Sequence, residues 1–116
     1  MILYHCMIEL KQGSRALAFA TATEAWMGWL QGRGHIRAHR LMRRKMSLAS
    51  GRHTDFMLEI EMESLDSLEE TFAALSGKDE AAERLYAQMR QMIHEVDVGL
   101  YRPYPDPEQR ETVALV

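Results

Sequence analysis

Apolar residues alternate with polar ones from the second position onward. Ile2, Tyr4, Cys6, Ile8 and Leu10 fall on one side of an extended chain, and Leu3, His5, Met7 and Glu9 on the other. This period of two predicts a first strand over residues 2–10. Lys11-Gln12-Gly13 supplies a turn, with Ser14 placed to cap a helix. Over residues 14–31 the period lengthens. Ser14, Thr21, Glu24, Gly28 and Gln31 make one narrow polar stripe, while Leu17, Phe19, Trp26, Met27, Trp29 and Leu30 crowd the rest of the surface. So wide an apolar surface needs a cover beyond one small sheet, either another element or a second subunit. Gly32 and Gly34 end the helix.

A hairpin with arms of opposite charge follows. Residues 34–46, GHIRAHRLMRRKM, hold five Arg or Lys, two His and no acid; residues 54–63, TDFMLEIEME, hold four acids and no Lys or Arg. A tip at Ala49-Ser50-Gly51-Arg52 sets opposed residues to numbers that sum to about 100. In that register Ala38, Met42 and Met46 share the apolar face with Phe56, Leu58, Ile60 and Met62. Arg37, His39, Arg43 and Lys45 share the charged face with Asp55, Glu59, Glu61 and Glu63. Arg40 and Arg44 then interrupt the apolar face, which an edge strand tolerates. Asp66 or Ser67 caps a second helical region with a stripe of Leu68, Phe72 and Leu75. Ser76-Gly77-Lys78 interrupts it, Asp79 restarts it, and Ala82, Leu85, Met89, Met92 and Ile93 carry its buried face to His94. The last strand covers residues 95–102, with Val96, Val98 and Leu100 facing one way and Asp97, Gly99 and Tyr101 the other.

Strand, helix, strand, strand, helix, strand is a βαββαβ order. It predicts an α+β, ferredoxin-like domain over residues 1–102, with a four-stranded antiparallel sheet and helices on one face. Residues 103–116 form a Pro-rich tail with Pro103, Pro105 and Pro107. Its apolar end, Thr112-Val113-Ala114-Leu115-Val116, is expected to dock on the body or on a partner.

Composition narrows the class. At 116 residues the chain makes one domain, and a formal net charge of −3 excludes a bulk electrostatic nucleic-acid binder. No run is long enough to span a bilayer, and the opening residues lack a basic leader. One cysteine, Cys6, excludes an internal disulfide and fits a reducing compartment, so a cytoplasmic location is expected. Nine methionines suit irregular core gaps.

The opening YHCMIEL and the helix segment AWMGWLQ resemble a small family of uncharacterised bacterial dimeric ferredoxin-like proteins. These belong to the dimeric α/β-barrel superfamily, with the antibiotic-biosynthesis-type monooxygenases and muconolactone-isomerase-like proteins. The resemblance implies the fold and a homodimer whose two sheets pack open face to open face. It implies no activity, because the scaffold hosts many chemistries.

Candidate chemistry lies on that open face. His5, His39, Glu59 and Tyr101 are expected on four different strands. His5 and His39 suit general-base work near neutral pH, with Tyr101 donating a hydrogen bond. Arg37, Arg43, Met7, Met57 and Glu59 are the expected ligand contacts. The plainer alternative is that these groups pair among themselves in a polar dimer interface. A metal is not expected: His35 and His39 would stand about 13 Å apart on a strand, and no cysteine pair or helical HExxH motif is present. RNA binding needs stacking aromatics on the central strands, where His5, Met7, Met57 and Glu59 stand instead. No Gly-rich nucleotide loop appears and no cofactor is expected. Cys6 reads as a buried hydrophobe, and Trp26 and Trp29 as core or interface. The leading expectation is a small organic molecule bound or converted between the sheets, as a cofactor-independent monooxygenase or isomerase would do. The competing one is a non-catalytic binding or regulatory dimer.

Overall fold

A computed structural model describes residues 1–45, 54–77 and 79–105. The chain forms β1 (Ile2–Leu10), α1 (Ala16–Gly32), β2 (Ala38–Arg43), β3 (Phe56–Met62), α2 (Leu65–Ser76), α3 (Glu80–Arg90) and β4 (Ile93–Tyr101). The strands make one antiparallel sheet in the order β2-β3-β1-β4. This is the ferredoxin-like arrangement, with β1 and β3 central. The expected hairpin tip at 49–52, Met46, Lys78 and the tail end at 112–116 lie outside the described residues.

Phe19, Trp26, Met27 and Leu30 of α1 pack on Cys6, Ile8, Phe56, Leu58 and Ile60 of the sheet. Phe19 and Phe56 meet with ring centroids 5.0 Å apart. The expected second cover for α1 is α3, whose Tyr86 stands edge-on to Trp26 at 5.8 Å. Leu17 stays exposed. Ser14 is not the cap: Arg15 holds that position without a side-chain bond. Gly34, at φ +76°, lets its own N–H and that of His35 reach back to the carbonyls of Gln31 and Leu30. Asp79 is the expected cap, accepting from the N–H groups of Ala81 and Ala82 at 3.1 Å each. Ser64, rather than Asp66 or Ser67, precedes α2.

Three corrections bear on function. The first is register. β2 pairs with β3 as Ala38↔Glu61, His39↔Ile60, Arg40↔Glu59, Leu41↔Leu58, Met42↔Met57 and Arg43↔Phe56, one residue short of the expected pairing. Because side chains alternate, that single step turns every β2 side chain over. Leu41 now meets Leu58 on the helix side, and Arg40 leaves that side to meet Glu59. His39 and Arg43, expected on the open face, turn toward the helices. The second correction is the end of α3. The helix stops at Arg90, and Ile93 already pairs with Leu10. A bulge at Glu9/Leu10 absorbs His94 as the extra residue. The third is cover. Val98 and Leu100 face the helix side as expected but stay 56% and 48% exposed, and Phe72 of α2 is 51% exposed. β4 is an edge strand, and the helices leave its helix side largely open.

Candidate functional site

The open face is built of cross-strand rows. The middle row takes one residue from each strand: Arg40, Glu59, His5 and Gly99. Arg40 Nη2 donates to Glu59 Oε2 at 2.8 Å, and Glu59 Oε1 stands 3.8 Å from His5 Nδ1. Glu59 is thus held by Arg40 on one oxygen and offers the other to the imidazole. At 3.8 Å the carboxylate stands at ion-pair distance from the imidazole, beyond hydrogen-bond reach. Tyr101 completes the group from two residues along β4. Its ring lies edge-on to His5 with centroids 6.1 Å apart. Gly99 makes this possible, since a Cβ there would stand 3.1 Å from the Tyr101 ring. On one side of this row lie Met42, Met57, Met7 and Asp97; on the other lie Ala38, Glu61, Leu3 and Tyr101.

Five of the expected residues therefore share the face: His5, Glu59, Tyr101, Met7 and Met57. The other three do not. His39 reaches across the helix side to α1, with Nε2 2.8 Å from Glu24 Oε2. Arg43 pairs opposite the buried Phe56 on that side. Arg37 lies before β2, its Nε 3.7 Å from Glu63 Oε1 and its N–H donating to the Glu61 carbonyl. Asp55, also expected on the charged face, spends its carboxylate on the Leu10 N–H at 2.9 Å. Arg40, which the expected register puts on the apolar face, and Gly99 stand with those five on the open face.

A second candidate lies on the other side of the sheet. A cavity of about 130 Å³ opens between the sheet and helices α2 and α3. Cys6, Ile8, Leu58, Ile60, Leu30, Leu75 and Met89 give it apolar walls. Tyr4, Tyr86, Thr71 and Arg90 bring polar groups to it, and Val98 and Phe72 also line it. The Thr71 hydroxyl donates to the Ser67 carbonyl at 3.0 Å, and Arg90 Nη1 donates to the Ile93 carbonyl at 3.1 Å. Burial pushes the Tyr4 phenol up from its ordinary value, helped by Cys6 and Tyr86. Burial also pushes the Cys6 thiol up to about 12. Both groups are neutral at pH 7, so they offer hydrogen bonds and no thiolate nucleophile. The lining reads in sequence as ordinary core; the one available signal is two tyrosines and a threonine within apolar stripes.

The Cys6 value gives a pH test. A thiol protonated in the fold and ionised at about 8.5 when unfolded contributes stability that is whole below that pH. That contribution falls away as pH rises toward 12. Thiol reagents at pH 8 are expected to label the native chain slowly and the urea-unfolded chain at once. Equal rates would mean that the thiol is open to solvent.

Among the described residues no group of three or more His, Cys, Asp or Glu is placed to hold a metal ion. No helix there is long and apolar enough to cross a membrane.

Fold and site together define a small ferredoxin-like α+β protein with a free sheet face and a helix-side cavity. The chain belongs to DUF6614, a family of unknown function whose profile matches residues 1–116. No curated protein sequence matches it significantly. Solved structures share its fold at low identity. An Arabidopsis thaliana protein is 14% identical with a TM-score of 0.68, over 89% of this chain and 95% of that one. A dimeric ferredoxin-like protein of unknown function from Jannaschia is 10% identical with a TM-score of 0.66, over 89% and 100%. A variant of SnoaB, a cofactor-independent oxygenase of Streptomyces nogalater, is 10% identical with a TM-score of 0.66, over 89% and 92%.

Proposed function

We propose that this protein is a homodimer that binds a small, largely apolar organic molecule in the helix-side cavity of each protomer. The cavity itself carries the reading. Its volume of about 130 Å³ is close to the roughly 150 Å³ in which an engineered protein cavity holds benzene. Its walls are apolar, and its few polar groups converge from Tyr4, Tyr86 and Arg90, the usual make-up of a small-molecule pocket. Arg90 suits a carboxylate, phenolate or enolate on the ligand. Phenols and aromatic acids of one ring are therefore the ligand class. Dimerisation is supported by the free sheet face, where Met42 and Tyr101 are exposed beside the half-buried Leu3, Met7 and Met57. Structural neighbours described as dimeric point the same way.

A second reading places conversion of the molecule between the two sheets. Its support is the Arg40–Glu59–His5 chain, which leaves His5 Nε2 to take a proton from a carbon or oxygen acid, with Tyr101 beside it. Met7 and Met57 would then be ligand contacts, and His39, Arg37 and Arg43 drop out of the set. A third outcome is a charged face that serves assembly alone.

A thermal-shift panel of phenol, benzoate and salicylate separates these readings. Leu75→Trp fills the cavity, and His5→Ala empties the row. A melting-temperature rise of a few degrees that is lost in Leu75→Trp and kept in His5→Ala is expected. Loss in His5→Ala alone would move the site to the open face. No rise with any probe would favour the non-catalytic dimer.

A further inference from the structure

We infer that two open faces meet about a two-fold axis running along the strands, so that Glu59 of each protomer lies over the partner's His5 and the histidine site is completed by the second subunit. The axis presupposes the dimer proposed above, and the measurements below separate the two. In a symmetric dimer residue i meets j and j meets i, so a face must complement itself. Sheets packed face to face keep their strands within about 30° of one another. A two-fold axis can then lie along the strands or across them. Along the strands, it reverses the strand order and keeps the cross-strand rows level. β2 lies over the partner's β4, and β3 over the partner's β1. Across the strands, each strand lies over its own copy and the rows are reversed.

Charge and size across the sheet select the first. The middle row reads Arg40, Glu59, His5, Gly99. Laid over its reverse, it sets Glu59 on the partner's His5. Arg40, the longest side chain of the row, meets the partner's Gly99, which has none. In the next row Met57 meets the partner's Met7, and Met42 the partner's Asp97. On the other side Ala38 meets the partner's Tyr101, so small again meets large, and Glu61 falls beside the partner's Leu3. The axis across the strands instead sets Arg40 on the partner's Arg40 and Glu59 on the partner's Glu59. It also leaves Gly99 facing the partner's Gly99 across an empty corner. Like charges between desolvated faces are what a specific interface avoids. The side chains of His5 and Glu59 keep only 24% and 19% of their surface in one protomer, on the face that a second copy covers. Each imidazole then stands between its own Glu59, at 3.8 Å, and the partner's Glu59. A lone protomer holds half of that arrangement.

Thiol cross-linking in the full chain tests the axis. In a Cys6→Ala background, Met42→Cys is combined with Asp97→Cys. Within one chain these positions sit on opposite edges of the sheet, three strand spacings or about 14 Å apart, too far for two maleimides joined by a two-carbon spacer. Across the interface their backbones are about 10 Å apart with the side chains directed at each other, which the reagent spans. The double variant is expected to run as a covalent dimer on a denaturing gel. Arg40→Cys alone, which the other axis would join to its own copy, is expected to stay single. Sedimentation of both variants before treatment separates the two proposals. A monomer there removes the dimer and the shared site with it. A dimer in which Arg40→Cys cross-links, or in which neither variant does, keeps the dimer and overturns the axis. A second measurement does not depend on linker reach. Adding His5→Glu to Glu59→Lys sets opposite charges over each other only with the axis along the strands. It is expected to tighten Kd about tenfold or more relative to Glu59→Lys. A double variant no tighter than Glu59→Lys overturns the shared site.

Discussion

Phe19→Ala is expected to cost about 3–5 kcal/mol, about a fifth or more of the roughly 5–15 kcal/mol that holds a domain of this size. Phe19 has no exposed surface, and its ring lies at 45° to that of Phe56, 5.0 Å away. It is the point where α1 is pressed onto β3, between Phe56 below and the rest of the α1 apolar surface around it. Removal loses the transfer free energy of the ring and leaves a hole that two regular elements cannot collapse to fill. The aromatic pair adds about 0.5–1.5 kcal/mol beyond the area buried. Urea unfolding, followed at one fixed protomer concentration, reads the loss as a lower midpoint with an unchanged slope. A loss below about 1 kcal/mol would mean that α1 does not sit on the sheet as described.

Glu59→Lys is expected to leave the fold intact and abolish the proposed dimer. Within one protomer it replaces the acceptor 2.8 Å from Arg40 by a cation, so Arg40 and residue 59 become cross-strand neighbours of like charge. On an isolated sheet face this costs little, because like-charged cross-strand pairs are worth only about 0.2–1 kcal/mol. Between two packed faces the row has no water to spread into. Breaking a desolvated charge pair at an interface costs about 2–5 kcal/mol, which weakens Kd by about 30-fold to several thousandfold. Sedimentation at micromolar concentration is expected to show a wild-type dimer and a Glu59→Lys monomer with unchanged far-UV circular dichroism. A variant that stays dimeric would place the interface somewhere other than the open face. Glu59→Gln, which keeps the shape and one acceptor, is expected to fall between the two.

The fold was legible where alternation was clean. In β1 and β3 the helix-side positions are filled by Ile2, Tyr4, Cys6, Ile8 and Leu10 and by Phe56, Leu58, Ile60 and Met62, with no charged residue among them, and their pairing brings His5 opposite Glu59. β2 has no such pattern. In Ala38–Arg43 the apolar residues are Ala38, Leu41 and Met42, which fit neither face. The register expected for it depends on the turn placed at 49–52, and the observed pairing, one residue shorter, puts His39 and Arg43 on the helix side. The position of Leu41, the one large aliphatic side chain in β2, is what decides the matter: it belongs opposite Leu58 in the core. The cavity was not legible at all. Its walls are the same residues that any core would use, and the space arises from how α2 sits over the sheet, with Thr71 turned in and Phe72 left half out. Helix-to-sheet distance of that kind leaves no periodic trace in a sequence.

The stacked indoles of α1 have a use of their own. Trp26 and Trp29 are the two tryptophans of the chain, and their rings lie 5.6 Å apart and within 16° of parallel. Trp26 forms part of the cavity wall, while Trp29 carries the Arg33 guanidinium 4.8 Å above its ring. All indole emission therefore comes from one coupled pair, half of it facing the space where a molecule would bind. An aromatic ring entering beside Trp26 quenches or shifts that emission directly, and ring stacking gives the pair a near-ultraviolet dichroic signal that vanishes when α1 leaves the sheet. The chain carries its own unlabelled optical probe, one that distinguishes occupancy from unfolding.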